Sequence, residues 1–105
     1  MLSARRKLPP SEFPRTAYSI KTVWFTLKTH QNTRGYNRIA VIISAKTEPR
    51  AVRRHFWKRR FYDIVKSWPD VSQDFLITTS AKLRELDSSQ LPTELERARL
   101  ATHLF

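Results

Sequence analysis

Residues 38–65, RIAVIISAKTEPRAVRRHFWKRRFYDIV, contain the features that decide the fold. The stretch opens with a continuous apolar run at residues 39–43, which is typical of a central strand covered on both faces. Residues 47–49, Thr-Glu-Pro, predict a helix start, because a hydroxyl can cap the first turn, an acid suits the positive end of the helix dipole and proline fits the first helical position. The helix is expected to cover about residues 49–67 and to stop before Pro69.

This helix is predicted to have an apolar side and a cationic side. At about 100° per residue, one face collects most of its large apolar side chains, namely Trp57, Phe61, Ile64, Val65 and Trp68. The adjoining arc is polar and mostly basic, and its members are Arg54, His55, Lys58, Arg59, Tyr62 and Lys66. Neither side accounts for Val52 and Phe56.

The rest of the chain adds strands before and after this helix. Alternating apolar and polar residues predict one strand over Tyr18–Thr29, and His30–Asn37, with the single glycine Gly35, is typical of a hairpin connection. Asp74–Thr79 is a short apolar strand, and Leu91–Phe105, opened by Pro92 and Thr93, is an amphipathic helix. The order strand, strand, helix, strand, helix predicts an α+β fold, a single two-layer sandwich with a small mixed sheet.

The amino-terminal segment is expected to be extended. Its basic residues Arg5, Arg6 and Lys7 are followed by three prolines, Pro9, Pro10 and Pro14, and no apolar segment of membrane-spanning length follows. We therefore expect one domain over residues 1–105, in which residues 1–16 are a basic, proline-containing lead-in. A cytoplasmic protein is the default expectation, with a transit peptide as the alternative.

Charge and composition limit the classes of partner. The 105 residues carry 20 Lys and Arg against 9 Asp and Glu, a formal net charge of +11, and the chain has no cysteine. A disulfide framework and a thiolate metal site are therefore excluded. The aromatic content of 11% exceeds that of a disordered basic tail, so we expect a folded domain with an anionic partner.

The cationic side of the predicted helix is the candidate binding surface. Six basic side chains lie between residues 50 and 60, with few acids nearby in the sequence: Arg50, Arg53, Arg54, Lys58, Arg59 and Arg60. Guanidinium groups bind phosphates through paired hydrogen bonds, and clustered cations release condensed counterions. We expect a nucleic acid rather than a solvated helix face. RNA is favoured over DNA because aromatic residues beside the basic arc, and Trp24 and Phe25 on the strand, would suit stacking on unpaired bases. No zinc spacing, phosphate loop or heptad repeat supports a DNA-reading motif.

No self-contained catalytic site is expected. The histidines His30, His55 and His103 lie far apart in the sequence, without an acid and a nucleophile arranged as a triad. An autonomous nuclease that uses His55 is the alternative. It predicts cleavage by the protein alone.

Residues 38–65 resemble the signature of the bacterial ribonuclease P protein component. That signature is an apolar strand, Ser-x-Lys, and a helix opening Ala-Val-x-Arg-Asn-Arg-x-Lys-Arg, and the residues matched in order are Ser44, Lys46, Ala51, Val52, Arg54, Lys58 and Arg59. The resemblance extends from about Phe13 to the carboxyl terminus. The departures identify a divergent member: His55 and Phe56 replace Asn and Arg, Tyr62 replaces a further Arg, and residues 48–50 replace Gly-Asn with one extra residue.

The resemblance implies a ribosomal protein S5 domain 2-like fold, with a left-handed crossover around the basic helix. It implies a protein subunit that binds a catalytic RNA and precursor transfer RNA, with Mg²⁺ held by the RNA and no catalytic or metal-ligating residue in the protein. The RNA-binding residues would be Lys46, Arg50, Arg53, Arg54, His55, Lys58, Arg59 and Tyr62. Phe13 and Phe25 would line a cleft for the single-stranded 5′ leader. No DNA, membrane or obligate protein partner is expected. A ribosomal or other structural RNA-binding protein is the alternative.

Overall fold

A computed structural model describes residues 7–9 and 18–104 of the chain. Its strands and α-helices, in chain order, are β1 (Tyr18–Lys21), β2 (Phe25–Gln31), β3 (Arg38–Ile42), α1 (Ala51–Val65), β4 (Gln73–Thr79) and α2 (Leu91–Ala101). Two short 3-10 helices, Ala81–Glu85 and Ser88–Gln90, connect β4 to α2. The expected α+β class is confirmed. No helix of the described residues is long and apolar enough to cross a membrane.

The sheet is mixed and has the strand order β1-β2-β4-β3. β2 is antiparallel to both β1 and β4, whereas β3 and β4 are parallel neighbours. A parallel pair needs a crossover connection, and α1 supplies it, as predicted. The left-handedness of the crossover stays a prediction.

The position predicted for the apolar run of residues 39–43 is wrong, because β3 is an edge strand and β4 is central. The run is nevertheless largely buried. Ile39 and Val41 pack into the main core, while Ala40 forms a small apolar cluster with Leu8 and Leu76 on the opposite face. The N–H of Leu8 donates to the carbonyl of Ile39 at 2.9 Å, which places the described part of the lead-in beside this edge.

The strand predicted over Tyr18–Thr29 is two strands joined by a tight turn. The Thr22 hydroxyl accepts hydrogen bonds from the N–H groups of Trp24 and Phe25, and this local bonding ends β1 and starts β2. The predicted hairpin at residues 30–37 is also wrong, because β4 lies between β2 and β3. Gly35 still has a positive φ of 80°, so the glycine serves a turn in a longer connection.

One face of the sheet packs against the two helices. Pairing places alternate residues of β2, β3 and β4 on this face, where they form the core with the buried side of α1 and with Leu91, Leu95 and Ala98 of α2. The predicted apolar face of α1 is confirmed, since Trp57, Phe61, Val65 and the following Trp68 are buried. The helix bounds differ from prediction by about two residues at each end.

Candidate nucleic-acid interface

The start of α1 is built differently from the sequence expectation. Arg50 occupies the N-cap position and no side chain caps the helix there. The hydroxyl of Thr47 instead lies 3.1 Å from that of Ser44. The side chain of Glu48 accepts hydrogen bonds from the backbone N–H and the Nε of Arg50, two residues later, at 3.1 and 3.2 Å. Glu48 is therefore an organiser of the helix start rather than a solvent-facing acid.

Glu48 also connects α1 to the first 3-10 helix. Its residue exposure is 1%, and its second carboxylate oxygen lies 3.6 Å from the Nε of Arg84. A hydrogen bond from the backbone N–H of Arg50 lowers the pKa of Glu48; burial opposes this effect, and the charges of Arg50 and Arg84 lower the pKa further. Both arginines line a cavity of about 380 Å³ together with Arg53 and Glu85.

The cations of α1 cover both flanks of its buried stripe. On one side, Tyr62 packs against the core, and helical spacing places Arg54 and Lys58 along this flank. On the other side, the guanidinium of Arg60 donates to the carbonyl of Ser88 at 3.0 Å, and Arg53 lies two turns earlier on that flank. The exposed His55 and Arg59 lie between the two flanks, so the cationic surface is wider than the predicted arc.

The carboxylates in the described part of the chain leave this surface largely uncompensated. Within the described residues, ion pairs at α1 involve only Arg50, with Glu48, and Lys66, with Asp63. None of the side chains that carry the cationic face has a carboxylate of residues 7–9 or 18–104 at ion-pair distance; these are Arg53, Arg54, His55, Lys58, Arg59 and Arg60.

Backbone carbonyls hold two of these arginines in place. Arg54 donates to the carbonyls of Glu48 and Pro49 at 2.9 and 3.0 Å, and Arg60 donates to that of Ser88. A carbonyl orients a guanidinium but does not cancel its charge. The surface is therefore both positioned and cationic, which suits phosphate groups.

The remaining predicted RNA-binding residues lie at the margins of α1. Lys46 is exposed in the turn before the helix, and Arg50 is exposed at its start. Tyr62 is half-buried against the core; burial raises its pKa, and the hydrogen bond from Val41 offsets part of that effect. Arg84 was missed, because nothing in the sequence indicates that a residue in a 3-10 helix returns to the start of α1.

The assignment of Phe25 to a leader-binding cleft is wrong. Its ring is 0% exposed and packs edge-to-face against Phe61, with the ring centroids 5.7 Å apart, on the sheet face covered by α1. Phe13, the other predicted cleft residue, lies outside the described residues. The sheet face opposite α1 carries Lys21 of β1 and Lys28 of β2. These strands are neighbours, and Lys21 lies opposite Thr26, two residues before Lys28.

The histidines do not form a triad with His55, which lies on the exposed side of α1. The fold instead brings His30 and His103 to one cavity of about 490 Å³, which no carboxylate of the described residues lines. Within residues 7–9 and 18–104, no group of three or more His, Asp or Glu side chains could hold a metal ion.

Comparison with known proteins finds one matching family model and similar solved structures. The family model described as Ribonuclease P matches residues 11–102. No curated protein sequence matches the chain significantly. The solved structure of the Staphylococcus aureus RNase P protein has a TM-score of 0.72 and 20% identity, covering 85% of this chain and 84% of that one. The Thermotoga maritima RNase P protein in complex with 1-(4-fluorophenyl)-2-thiourea has a TM-score of 0.68 and 18% identity, covering 78% and 82%.

Proposed function

The chain belongs to the ribonuclease P protein family, whose members are subunits of a ribonucleoprotein endoribonuclease, and we propose that its α1 surface docks onto the catalytic RNA. The observation that carries this proposal is the set of basic side chains on α1 without carboxylate partners in the described part of the chain. Phosphates of folded RNA would supply the missing negative charge and release counterions.

The RNA-binding residues we propose are those of α1 and its approach. Arg53, Arg54, Lys58 and Arg59 would contact phosphates, and His55 adds a donor. Lys46 and Arg50 extend the surface before the helix, and Tyr62 closes it at β3. Glu48 supports this surface, because it holds Arg50 at 3.2 Å.

The single-stranded 5′ leader of precursor transfer RNA would lie on the face of the sheet opposite α1. Lys21 and Lys28 on this face can meet leader phosphates, and Phe13 remains the proposed aromatic contact. Phe25 has no part in this contact, because its ring is inside the core.

Bond breaking belongs to the RNA in this proposal. Mg²⁺ held by the RNA would supply the charge stabilisation for phosphodiester hydrolysis, and we assign no metal ligand to the protein. The protein's contribution is to reduce phosphate repulsion between enzyme and substrate. Such a subunit would work in the cytoplasm with a precursor transfer RNA substrate.

Reconstitution tests this function. The full chain is added to a ribonuclease P RNA and precursor transfer RNA at low Mg²⁺, and leader removal is followed over time. We expect the chain to raise the rate, and the double variant Lys58→Ala, Arg59→Ala to raise it less. The matched control is Arg97→Ala on α2, whose side chain pairs with Glu94.

Two other outcomes separate the alternatives. RNA binding without any increase in leader removal would favour a structural RNA-binding protein and overturn the proposal. Cleavage by the chain without the RNA would indicate a nuclease, and the variants His30→Ala, His55→Ala and His103→Ala would then show which histidine is responsible.

A further inference from the structure

The exposed side of α1 carries an aromatic side chain that the core does not use. Phe56 is 38% exposed, and Val52, one turn earlier, is 82% exposed. Both stand outside the buried stripe of Trp57, Phe61 and Val65. Exposing a phenyl ring to water has a free-energy cost, so covering the ring with a partner would stabilise the complex.

The Phe56 ring is held in a defined position by its neighbours. The guanidinium carbon of Arg53 lies 5.5 Å from the ring centroid, a cation–π contact. The indole of Trp57 meets the ring edge-to-face, with centroids 5.6 Å apart and an interplanar angle of 76°. Because Trp57 is buried, the phenyl ring is anchored to the core on one side and open on another.

Cations surround this ring along the helix. Arg53 precedes it by three residues, and Arg59 and Arg60 follow by three and four, which are the spacings that bring side chains together on a helix. None of the three has a carboxylate partner within the described residues. A partner that covers Phe56 therefore needs two properties. It must present a flat or apolar group to the ring, and it must carry negative charge for the arginines.

That combination selects the occupant. A second copy of this chain would bring the same arginines against these ones, and like charges would repel. An acidic protein surface could neutralise the arginines, but it would have to place an apolar group among its carboxylates. An unpaired nucleotide carries both features, because its base stacks on aromatic rings and guanidinium planes while its phosphate meets arginine.

We propose that Phe56, with Arg53, is a stacking site for one unpaired base of the RNA to which α1 docks. The inference rests on the proposed function and adds to it a contact of a different kind. The family signature has an arginine at this position, so this chain would exchange a phosphate contact for a base contact. Arg59 and Arg60 would then hold the phosphates on either side of the stacked base.

The test compares Phe56→Leu with Phe56→Tyr in binding of the full chain to ribonuclease P RNA. Loss of stacking is expected to weaken binding of Phe56→Leu by about 5-fold or more, whereas Phe56→Tyr should bind like the native chain. Since stacking releases no counterions, the dependence of log K on log salt should keep its slope in Phe56→Leu. Val52→Ala, an exposed aliphatic change one turn away, is the matched control and should bind unchanged.

Chemical probing gives a second readout. One unpaired base should be protected from a base-modifying reagent by the native chain and by Phe56→Tyr, and exposed again with Phe56→Leu. Circular dichroism melting identifies any variant that fails to fold. If Phe56→Leu does not fold, Phe56→Met takes its place as the variant without an aromatic ring. Native binding together with equal affinity and equal protection for Phe56→Leu overturns the stacking site alone. Failure of the native chain to bind the RNA overturns the proposed function as well.

Discussion

Arg38 and Asp74 lie opposite each other across the parallel strands β3 and β4, and they form a two-point ion pair. The Nε and Nη2 of Arg38 donate to Oδ1 and Oδ2 of Asp74 at 2.9 and 2.7 Å, and the amide of Asn32 donates to Oδ1 at 2.8 Å. Both charged residues are buried. The pair therefore helps to fix the register of β3 and β4, the two strands that the basic helix connects.

Replacing Asp74 by alanine should destabilise the fold strongly. The change removes the two carboxylate oxygens to which Nε and Nη2 of the buried Arg38 donate. We expect a loss of about 3 kcal/mol in the free energy of unfolding, measured with urea. Asp63→Ala is the control, because the exposed Asp63–Lys66 pair should contribute less than about 1 kcal/mol. Equal losses in the two variants would contradict the role given to the buried pair.

The same pair predicts a pH dependence of stability. Burial would raise the pKa of Asp74, but hydrogen bonds from Arg38 and Asn32 and the charges of Arg38 and Arg34 outweigh it and lower the pKa below its ordinary value. A carboxyl with a lowered folded pKa stabilises the fold above its unfolded pKa, and this contribution is lost as the pH falls through the folded value.

We therefore expect the difference in unfolding free energy between the native chain and Asp74→Asn to be constant near neutral pH. It should shrink as the pH falls below about 4, the ordinary range of aspartate. Urea titrations at a series of pH values measure it. A difference that grows on acidification would show that the sign is wrong.

The sequence predicted the basic helix and its buried face, but it missed the turn at Thr22 and the order of the strands. The bounds and buried face of α1 follow from the 3.6-residue period and from Pro69, which act within one segment. The partner of a strand is not encoded in the strand itself, so the order β1-β2-β4-β3 and the edge position of β3 could not be read from residues 39–43. The cationic face was predicted in outline because net charge and helical spacing suffice for it.

The misassigned and missed site residues depend on contacts that the sequence does not show. Phe25 was placed in a cleft by the family resemblance alone, and the side of the sheet that its ring faces depends on the turn at Thr22. Glu48 was expected to favour the helix dipole, yet its buried contacts with Arg50 and Arg84 depend on a 3-10 helix far along the chain. Only the folded chain brings those groups together.

Glu48→Gln should lower the midpoint of thermal unfolding. Glutamine keeps an oxygen that can accept from the Arg50 N–H, but it removes the charge that faces two guanidinium groups in a buried position. Glu85→Gln is the matched control, because Glu85 lines the same cavity and is exposed. Differential scanning calorimetry should show a lower midpoint for Glu48→Gln and little change for Glu85→Gln; the reverse order would exclude Glu48 as the organiser.

Phe25→Leu should affect stability and not leader recognition. Removing the edge-to-face contact with Phe61 leaves a small void, and we expect a loss of about 1 to 2 kcal/mol in unfolding free energy. Well below the unfolding temperature, the reconstituted enzyme should keep its preference for precursor over mature transfer RNA, measured as a ratio of affinities. A lost preference in a fully folded variant would restore Phe25 to the leader contact.

Arg59→Ala should reduce the salt dependence of RNA binding. Arg59 is exposed at the centre of the cationic face, and each lost phosphate contact reduces the slope of log K against log salt by about 0.7 to 0.9. Arg54→Ala should reduce the slope similarly and also lower thermal stability, because Arg54 additionally donates to the carbonyls of Glu48 and Pro49. Arg59→Lys keeps the charge and should keep the slope, and Arg97→Ala on α2 should leave it unchanged. The measurement is the binding constant of each variant over a range of salt concentrations. A native slope in both Arg54→Ala and Arg59→Ala would show that this face does not contact phosphates.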